Sequence, residues 1–175
     1  TKDNEIKVIE YNCRFGDPES LNILELLQTN LLSIFRCIVN NTLNTITAEY
    51  QNKYTVCKYL VPNGYPSHPV SNFDIYFRRT DIINKFIFAS VYEKDDHFLN
   101  LGSRCIAYVG KGTTQEEAYY DCENALKSVV GNMYYREDIG GTEKTRNSLV
   151  FEVERNMQAS TQANNIVLKH QDIII

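Results

Sequence analysis

The sequence predicts a mixed α+β fold, and three patterns carry the prediction. Residues 54–61 alternate roughly between the two faces of a strand and are rich in β-forming residues. Apolar residues recur at spacings of three and four between residues 24 and 38, and again between residues 118 and 133, which is the spacing of a buried helix face. With 175 residues, of which 43% are hydrophobic, the chain can bury a sizeable core.

Composition argues against several classes of protein. The net charge of -4 and the isoelectric point near 5.4 give no basic surface for nucleic acid or an anionic membrane. No apolar run approaches the roughly 18 residues that a membrane span needs. Small anions remain possible ligands.

Cysteine and histidine usage favours a cytoplasmic protein without zinc. The five cysteines are widely spaced and include no C-x-x-C pair, so neither a disulfide framework nor a zinc site is expected. The three histidines are isolated, so we expect surface histidines and buried thiols. The chain opens on Thr1 rather than Met and soon enters a strand-like run, so we expect it to derive from something longer.

The first predicted strand, residues 6–11, continues into a row of polar side chains. Side chains alternate faces along a strand, so Glu10, Asn12 and Arg14 project to one side. A carboxylate and a carboxamide suit Mg²⁺ at nucleotide phosphates, and a guanidinium can bind an anionic oxygen. The alternative is an exposed edge strand with a Glu–Arg pair.

A helix is predicted to follow the strand directly. Gly16 permits a tight turn, Asp17 is the expected N-cap, Pro18 suits the first helical position and Glu19 suits the first turn. One or two helices then extend to about residue 46. Their apolar stripe is predicted to be core and consists of Leu24, Leu27, Leu31, Ile34 and Ile38.

Residues 8–19 resemble the EYN-x-RFGDPE motif of the phosphoribosylamine–glycine ligase family, also called glycinamide ribonucleotide synthetases, which are ATP-grasp enzymes of purine synthesis. The resemblance implies that Glu10 and Asn12 are Mg²⁺ or Mn²⁺ ligands at the phosphates of ATP. It implies that Arg14 binds the glycine carboxylate or the acyl phosphate. Asp17 would meet the glycine ammonium group, and its role as a helix cap is the competing interpretation.

Three later segments resemble the same family in the same order. The strand at 54–61 leads into Gly64-Tyr65-Pro66, which is similar to the family's S-x-GYP turn. Residues 101–107 resemble its GGRVL strand, with Ser103 in place of the second glycine. Arg104 in that strand is a weaker candidate for binding an anionic substrate group, and surface pairing is its alternative. Residues 135–140 resemble the YR-x-DIG ending.

Three further elements are predicted between and beyond these segments. Residues 85–92 are a strand, residues 110–112 form a turn, and Thr114 with Glu117 forms a capping box that opens a helix. The buried face of that helix is predicted to comprise Ala118, Cys122, Ala125, Val129 and Met133. Two strands at 149–153 and 165–169 form a terminal hairpin, either an added edge or a partner contact.

The resemblance implies the C-terminal part of an ATP-grasp domain followed by a small antiparallel-sheet-plus-helix C-terminal domain. Residues 1–50 would end the catalytic domain, residues 51–140 would form the C-terminal domain and residues 141–175 an extension. The implied reaction uses ATP to join glycine to 5-phosphoribosylamine, and the implied partner is the upstream remainder of the enzyme, in the same or another chain. Alternatives are a non-catalytic binding or scaffolding module and another ATP-grasp ligase, against which the RFGDPE run argues.

Overall fold

The computed structural model describes residues 6–11, 13–95 and 97–141. Within these residues lie three α-helices, two 3₁₀ turns and eight strands, so the prediction of a mixed α+β fold is confirmed. In chain order they are α1 (Glu19–Leu26), α2 (Leu31–Val39), a 3₁₀ turn (Leu43–Thr45), β1 (Tyr54–Pro62), β2 (Asp74–Phe77), a 3₁₀ turn (Thr80–Lys85), β3 (Ile87–Phe88), β4 (Val91–Lys94), β5 (His97–Asn100), β6 (Ile106–Gly112), α3 (Gln115–Leu126), β7 (Val129–Val130) and β8 (Met133–Tyr134).

The strands form two antiparallel sheets of four strands each among the described residues. The first has the order β3-β6-β1-β8 and the second the order β4-β5-β2-β7. Strand β1 pairs with β6 from Tyr54 opposite Gly112 to Leu60 opposite Ile106, and its end pairs with β8. The described residues up to Ile139 belong to one compact unit, and a second begins at Gly140.

Helix α3 covers the first sheet and confirms the predicted capping box. The Thr114 hydroxyl accepts a hydrogen bond from the Glu117 amide at 3.1 Å, and the Glu117 carboxylate accepts one from the Thr113 amide at 2.7 Å. Ala118, Cys122 and Ala125 are buried as predicted. The helix ends at Leu126, however, and the predicted helical positions Val129 and Met133 lie in β7 and β8. Both still pack against the core, which is why their spacing continued the helical pattern.

The prediction of a turn at residues 110–112 is wrong, because these residues complete β6. A Cβ on Gly110 would lie 2.2 Å from the Ala118 carbonyl oxygen, and one on Gly112 would lie 2.6 Å from the Ala118 amide nitrogen. The two glycines therefore let α3 approach the strand closely.

The single strand predicted at residues 85–92 is two short strands in different sheets. β3 pairs with β6, whereas β4 pairs with β5. Between them the amides of Ala89 and Ser90 donate to the carbonyls of Cys105 and Arg104, at 2.8 and 2.9 Å. The chain therefore passes from the first sheet to the second within residues 85–92, although the sequence there reads as one continuous strand. The strand predicted at 101–107 begins only at Ile106.

Two predictions for the first fifty residues are wrong. Residues 6–11 lie in neither strand nor helix, and their apolar side chains are exposed, for example Ile9 at 94%. A strand needs a neighbour for its backbone groups, and none of the described strands supplies one. The helices α1 and α2 exist, but neither buries a residue, so their apolar stripe is not core among the described residues. None of the described helices has the length and apolarity required to cross a membrane.

Candidate functional site

The predicted site residues lie at the entrance to α1. Glu10 and Arg14 are exposed on the irregular segment, and Asn12 lies outside the described residues. One guanidinium nitrogen of Arg14 donates to the Phe15 carbonyl at 3.0 Å. The structure therefore does not test the predicted roles of Glu10 and Asn12 as metal ligands.

Asp17 is not the N-cap of α1. The N-cap position is taken by Pro18, which has no capping side chain, and the carboxylate of Asp17 points to the first sheet instead. Its Oδ1 accepts a hydrogen bond from the Tyr59 hydroxyl at 3.0 Å, and its Oδ2 lies 3.1 Å from Nη2 of Arg104. Arg104 also donates through Nη1 to the Asp17 carbonyl at 2.9 Å. Of the two interpretations of Arg104, the structure favours pairing.

A cavity of about 450 Å³ brings three of the predicted residues together. Its lining comprises Arg14, Gly16, Asp17, Glu19 and Arg104. The lining thus includes two arginines and two acidic residues around a space large enough for a small ligand, and Arg104 and Asp17 are paired with each other. This arrangement is complementary to a zwitterion, because a carboxylate can bind a guanidinium while an ammonium group binds a carboxylate.

A second pocket, of about 340 Å³, also has Arg104 in its lining and brings the resemblance segments together. Its lining includes Pro18 of the RFGDPE run, Tyr65 and Pro66 of the GYP turn, and Arg136 and Ile139 of the YR-x-DIG ending. These segments lie far apart along the chain and meet around β1. The sequence indicated each segment but not that they share one pocket.

Tyr59 belongs to the site but sequence reasoning missed it. It lies in β1, where an aromatic residue in an alternating run predicts packing. Partial burial, followed by the hydrogen bond to Asp17 and the charge of that carboxylate, raises the pKa of Tyr59 to about 12. The hydroxyl is thus protonated at neutral pH and available as a donor. Burial, with the charges of Asp17 and Glu19, also raises the pKa of the Cys57 thiol to about 12, so this cysteine is a poor nucleophile.

Ser103 does not disturb the backbone. Of the two neighbouring positions, Gly102 has a φ of +86°, which favours glycine, whereas Ser103 is not among the residues with positive φ. The serine therefore replaces a glycine at the position that does not need one for its backbone conformation.

The chemistry of the predicted ligand pair fits Mg²⁺ or Mn²⁺. Mg²⁺ is usually bound through one or two protein oxygen ligands together with substrate phosphates, and a carboxylate with a carboxamide is such a set. Within the described ranges, no group of three or more His, Cys, Asp or Glu side chains is placed to hold a metal ion. An ion at Glu10 and Asn12 would therefore depend on phosphate oxygens for the rest of its coordination.

Comparison with known proteins shows the family to which this two-sheet α+β domain belongs. The family model for the phosphoribosylglycinamide synthetase C domain matches residues 55–142. The chain belongs to this family.

Several relatives are named phosphoribosylamine–glycine ligase. The chain is 38% identical over 134 residues to the protein from Methanosarcina acetivorans, covering 77% of this chain and 30% of that one. It is 44% identical over 142 residues to the protein from Methanocaldococcus jannaschii, covering 78% and 32%. A crystal structure of phosphoribosylamine–glycine ligase from Thermotoga maritima superimposes with a TM-score of 0.60 and 29% identity, covering 75% of this chain and 33% of that one. The chain thus spans about a third of the length of the relatives it matches.

Proposed function

We propose that this chain is the C-terminal part of a phosphoribosylamine–glycine ligase and that the enzyme joins glycine to 5-phosphoribosylamine with ATP, giving ADP, phosphate and glycinamide ribonucleotide. The family membership carries the proposal, since relatives named for this activity match more than three quarters of the chain. The cavity that joins Arg14, Asp17 and Glu19 adds support, because its charges complement a zwitterionic amino acid.

The reaction has two steps. A carboxylate oxygen of glycine attacks the γ-phosphorus of ATP, which releases ADP and leaves an acyl phosphate. The amine of phosphoribosylamine then attacks the acyl carbon, loses a proton and displaces phosphate. Arg14 stabilises the negative charge of the carboxylate and of the acyl phosphate, and Asp17 or Glu19 holds the glycine ammonium group. Mg²⁺ or Mn²⁺ held by Glu10 and Asn12 would supply positive charge at the ATP phosphates.

The proposal includes the domain boundaries and the partner. Residues 1–50 end the ATP-grasp domain, residues 51–140 form the C-terminal domain and residues 141–175 are an extension. Contacts place the described residues up to Ile139 in one unit, so the boundary near residue 50 rests on burial alone: the buried residues of the core cluster begin at Val56, whereas α1 and α2 bury none. We further propose that the upstream remainder of the enzyme covers these helices. A cytoplasmic location is supported by five free cysteines.

The test uses protein expressed from the complete gene. ADP release should require both glycine and phosphoribosylamine. Glu10→Ala should lower kcat at least about a hundredfold, on the scale of a lost electrostatic contact of about 3 kcal/mol. Glu93→Ala is the control, because Glu93 is an exposed carboxylate in the second sheet and should leave the rate unchanged.

Native mass distinguishes the ligase from a non-catalytic module. A single longer chain, or a second polypeptide that co-migrates with this one, supports the ligase. A lone species of 20.2 kDa that does not release ADP with both substrates supports a binding or scaffolding module.

A further inference from the structure

All three oxygen atoms of Asp17, which precedes α1, contact side chains that are distant in sequence. The Tyr59 hydroxyl donates to one carboxylate oxygen, whereas Arg104 forms an ion pair with the other and donates a hydrogen bond to the main-chain carbonyl. The guanidinium carbon of Arg104 also lies 5.0 Å from the centre of the Tyr59 ring. We call Asp17, Tyr59 and Arg104 the Asp17 clamp.

The clamp joins two parts of the chain that are distant in sequence. Asp17 lies between the segment that carries Arg14 and the first turn of α1, whereas Tyr59 is in β1 and Arg104 precedes β6. On the helix side, the Gly16 carbonyl accepts from the Ser20 amide at 2.9 Å. Arg14 lies three residues before Asp17, so the clamp holds the chain close to Arg14.

We propose that Tyr59 and Arg104 are positioning residues of the ligation reaction, which fix Arg14 by holding Asp17. This inference rests on the proposed function. The clamp lies outside the hydrophobic core, and the Arg104 and Asp17 side chains are 37% and 48% exposed. Ion pairs with such exposure contribute little to folding stability. The three contacts of the clamp therefore fix the position of Asp17 rather than stabilise the fold.

The first experiment separates positioning from stability in protein expressed from the complete gene. Tyr59→Phe removes one hydroxyl and keeps the ring, so it should fold normally. We expect kcat/KM for glycine to fall about tenfold, as for other residues that orient a ligand-binding group, while Tm changes by no more than about 2 °C. Arg104→Lys should retain more activity than Arg104→Ala, because a lysine keeps the charge but not the two-pronged contact.

Two substitutions provide matched controls. Tyr76→Phe also removes a tyrosine hydroxyl with an aspartate partner, Asp74, and Arg79→Lys also alters an exposed pair, with Asp81 at 2.9 Å. Neither pair touches the predicted site, so both variants should keep the activity of the unmodified protein.

A double variant tests whether the three residues act as one unit. Asp17→Asn alone should lower kcat/KM. The double variant Asp17→Asn with Tyr59→Phe should lose less activity than the product of the two single fold-losses, because Asp17→Asn already weakens the contact with Tyr59. If the fold-losses of the two single variants multiply in the double variant, the three residues do not act as one unit.

Hydrogen exchange gives a readout that does not depend on activity. The amides of Ser20 and Leu21, which donate to the Gly16 and Pro18 carbonyls beside Asp17, should exchange about tenfold faster in Tyr59→Phe, with unchanged exchange in α3. Unchanged exchange at Ser20 and Leu21, or faster exchange across the whole fold together with a lower Tm, would overturn the proposal. If the unmodified protein does not couple ADP release to both substrates, the proposed function fails, and unchanged exchange would show that the clamp fails as well.

Discussion

Lys58 and Glu123 form an ion pair inside the core, at 1% and 4% exposure. The Lys58 ammonium group also donates to the Glu137 carbonyl at 3.0 Å and lies 4.2 Å from the centre of the Tyr119 ring. The Tyr135 hydroxyl donates to the second carboxylate oxygen of Glu123 at 3.0 Å. These contacts hold the YR-x-DIG segment to β1 and α3, and they explain how a strand residue that faces the core can be a lysine.

Removing one charge of this pair should lower the free energy of unfolding more than removing both charges does. Glu123→Gln leaves the Lys58 ammonium group buried without a counter-charge, so we expect the free energy of unfolding to fall by about 3 kcal/mol or more. The double variant Lys58→Met with Glu123→Leu should recover most of that loss, because no buried charge remains. Urea unfolding at neutral pH measures both. A loss below about 1 kcal/mol in Glu123→Gln would contradict the expectation.

At the scale of elements, the contact between α3 and β6 depends on glycine. A Cβ at Gly110 would meet backbone atoms of α3, at 2.2 Å from the Ala118 carbonyl oxygen and 2.5 Å from the Cys122 amide nitrogen. Backbone atoms inside a helix cannot move aside individually. The helix and the strand would therefore have to separate.

Gly110→Ala should lower the free energy of unfolding by about 3 kcal/mol, the upper part of the range for overpacking. Gly16→Ala is the matched control, because its nearest obstacle is the flexible end of the Glu19 side chain, at 2.3 Å from the added Cβ. We expect the free energy of unfolding of this control to fall by at most about 1 kcal/mol in the same urea titration. Equal losses in the two variants would show that α3 adjusts to the added methyl group.

The predictions made for individual elements succeeded where the local pattern and the tertiary structure coincide. Strand β1 alternates in sequence and is central in its sheet, and α3 has its own capping box. Residues 6–11 alternate equally well, but a strand also needs a neighbour, which no local pattern can supply. The glycines of residues 110–112 predicted a turn because sequence alone does not distinguish a glycine needed for φ from one needed for close packing.

In the candidate site, too, local motifs indicated individual residues but not the contacts between residues that are distant in sequence. Arg14, Asp17 and Arg104 were indicated by local motifs, and the structure brings them to one cavity. The role of Asp17 was not predictable, because Asp before Pro at a helix start is typical of a cap. Its actual contact with Tyr59 joins residues 42 positions apart, and nothing near either residue indicates the other.

At the scale of the whole molecule, α2 presents apolar side chains that the described residues leave exposed. Leu32 is 65% exposed, Phe35 44% and Val39 80%. Together with Arg36 and Asn40 they line a shallow pocket of about 260 Å³. Contiguous apolar surface of this kind marks an interaction site. Because the matched relatives are about three times as long as this chain, the occupant we propose is the remainder of the ligase.

This proposal predicts that charges on α2 destabilise the protein expressed from the complete gene but not the fold of the described residues. Leu32→Glu and Val39→Glu should each lower the free energy of unfolding of the complete protein by about 2 kcal/mol, the value of burying one aliphatic side chain. Val70→Glu is the control, because Val70 is 42% exposed in a loop after β1 and away from this face. In the 175-residue chain alone, all three substitutions should change stability by no more than about 0.5 kcal/mol, since each side chain is already exposed. Chemical unfolding measures the three substitutions in both proteins. Equal losses for Leu32→Glu and Val70→Glu in the complete protein would mean that α2 faces solvent there as well.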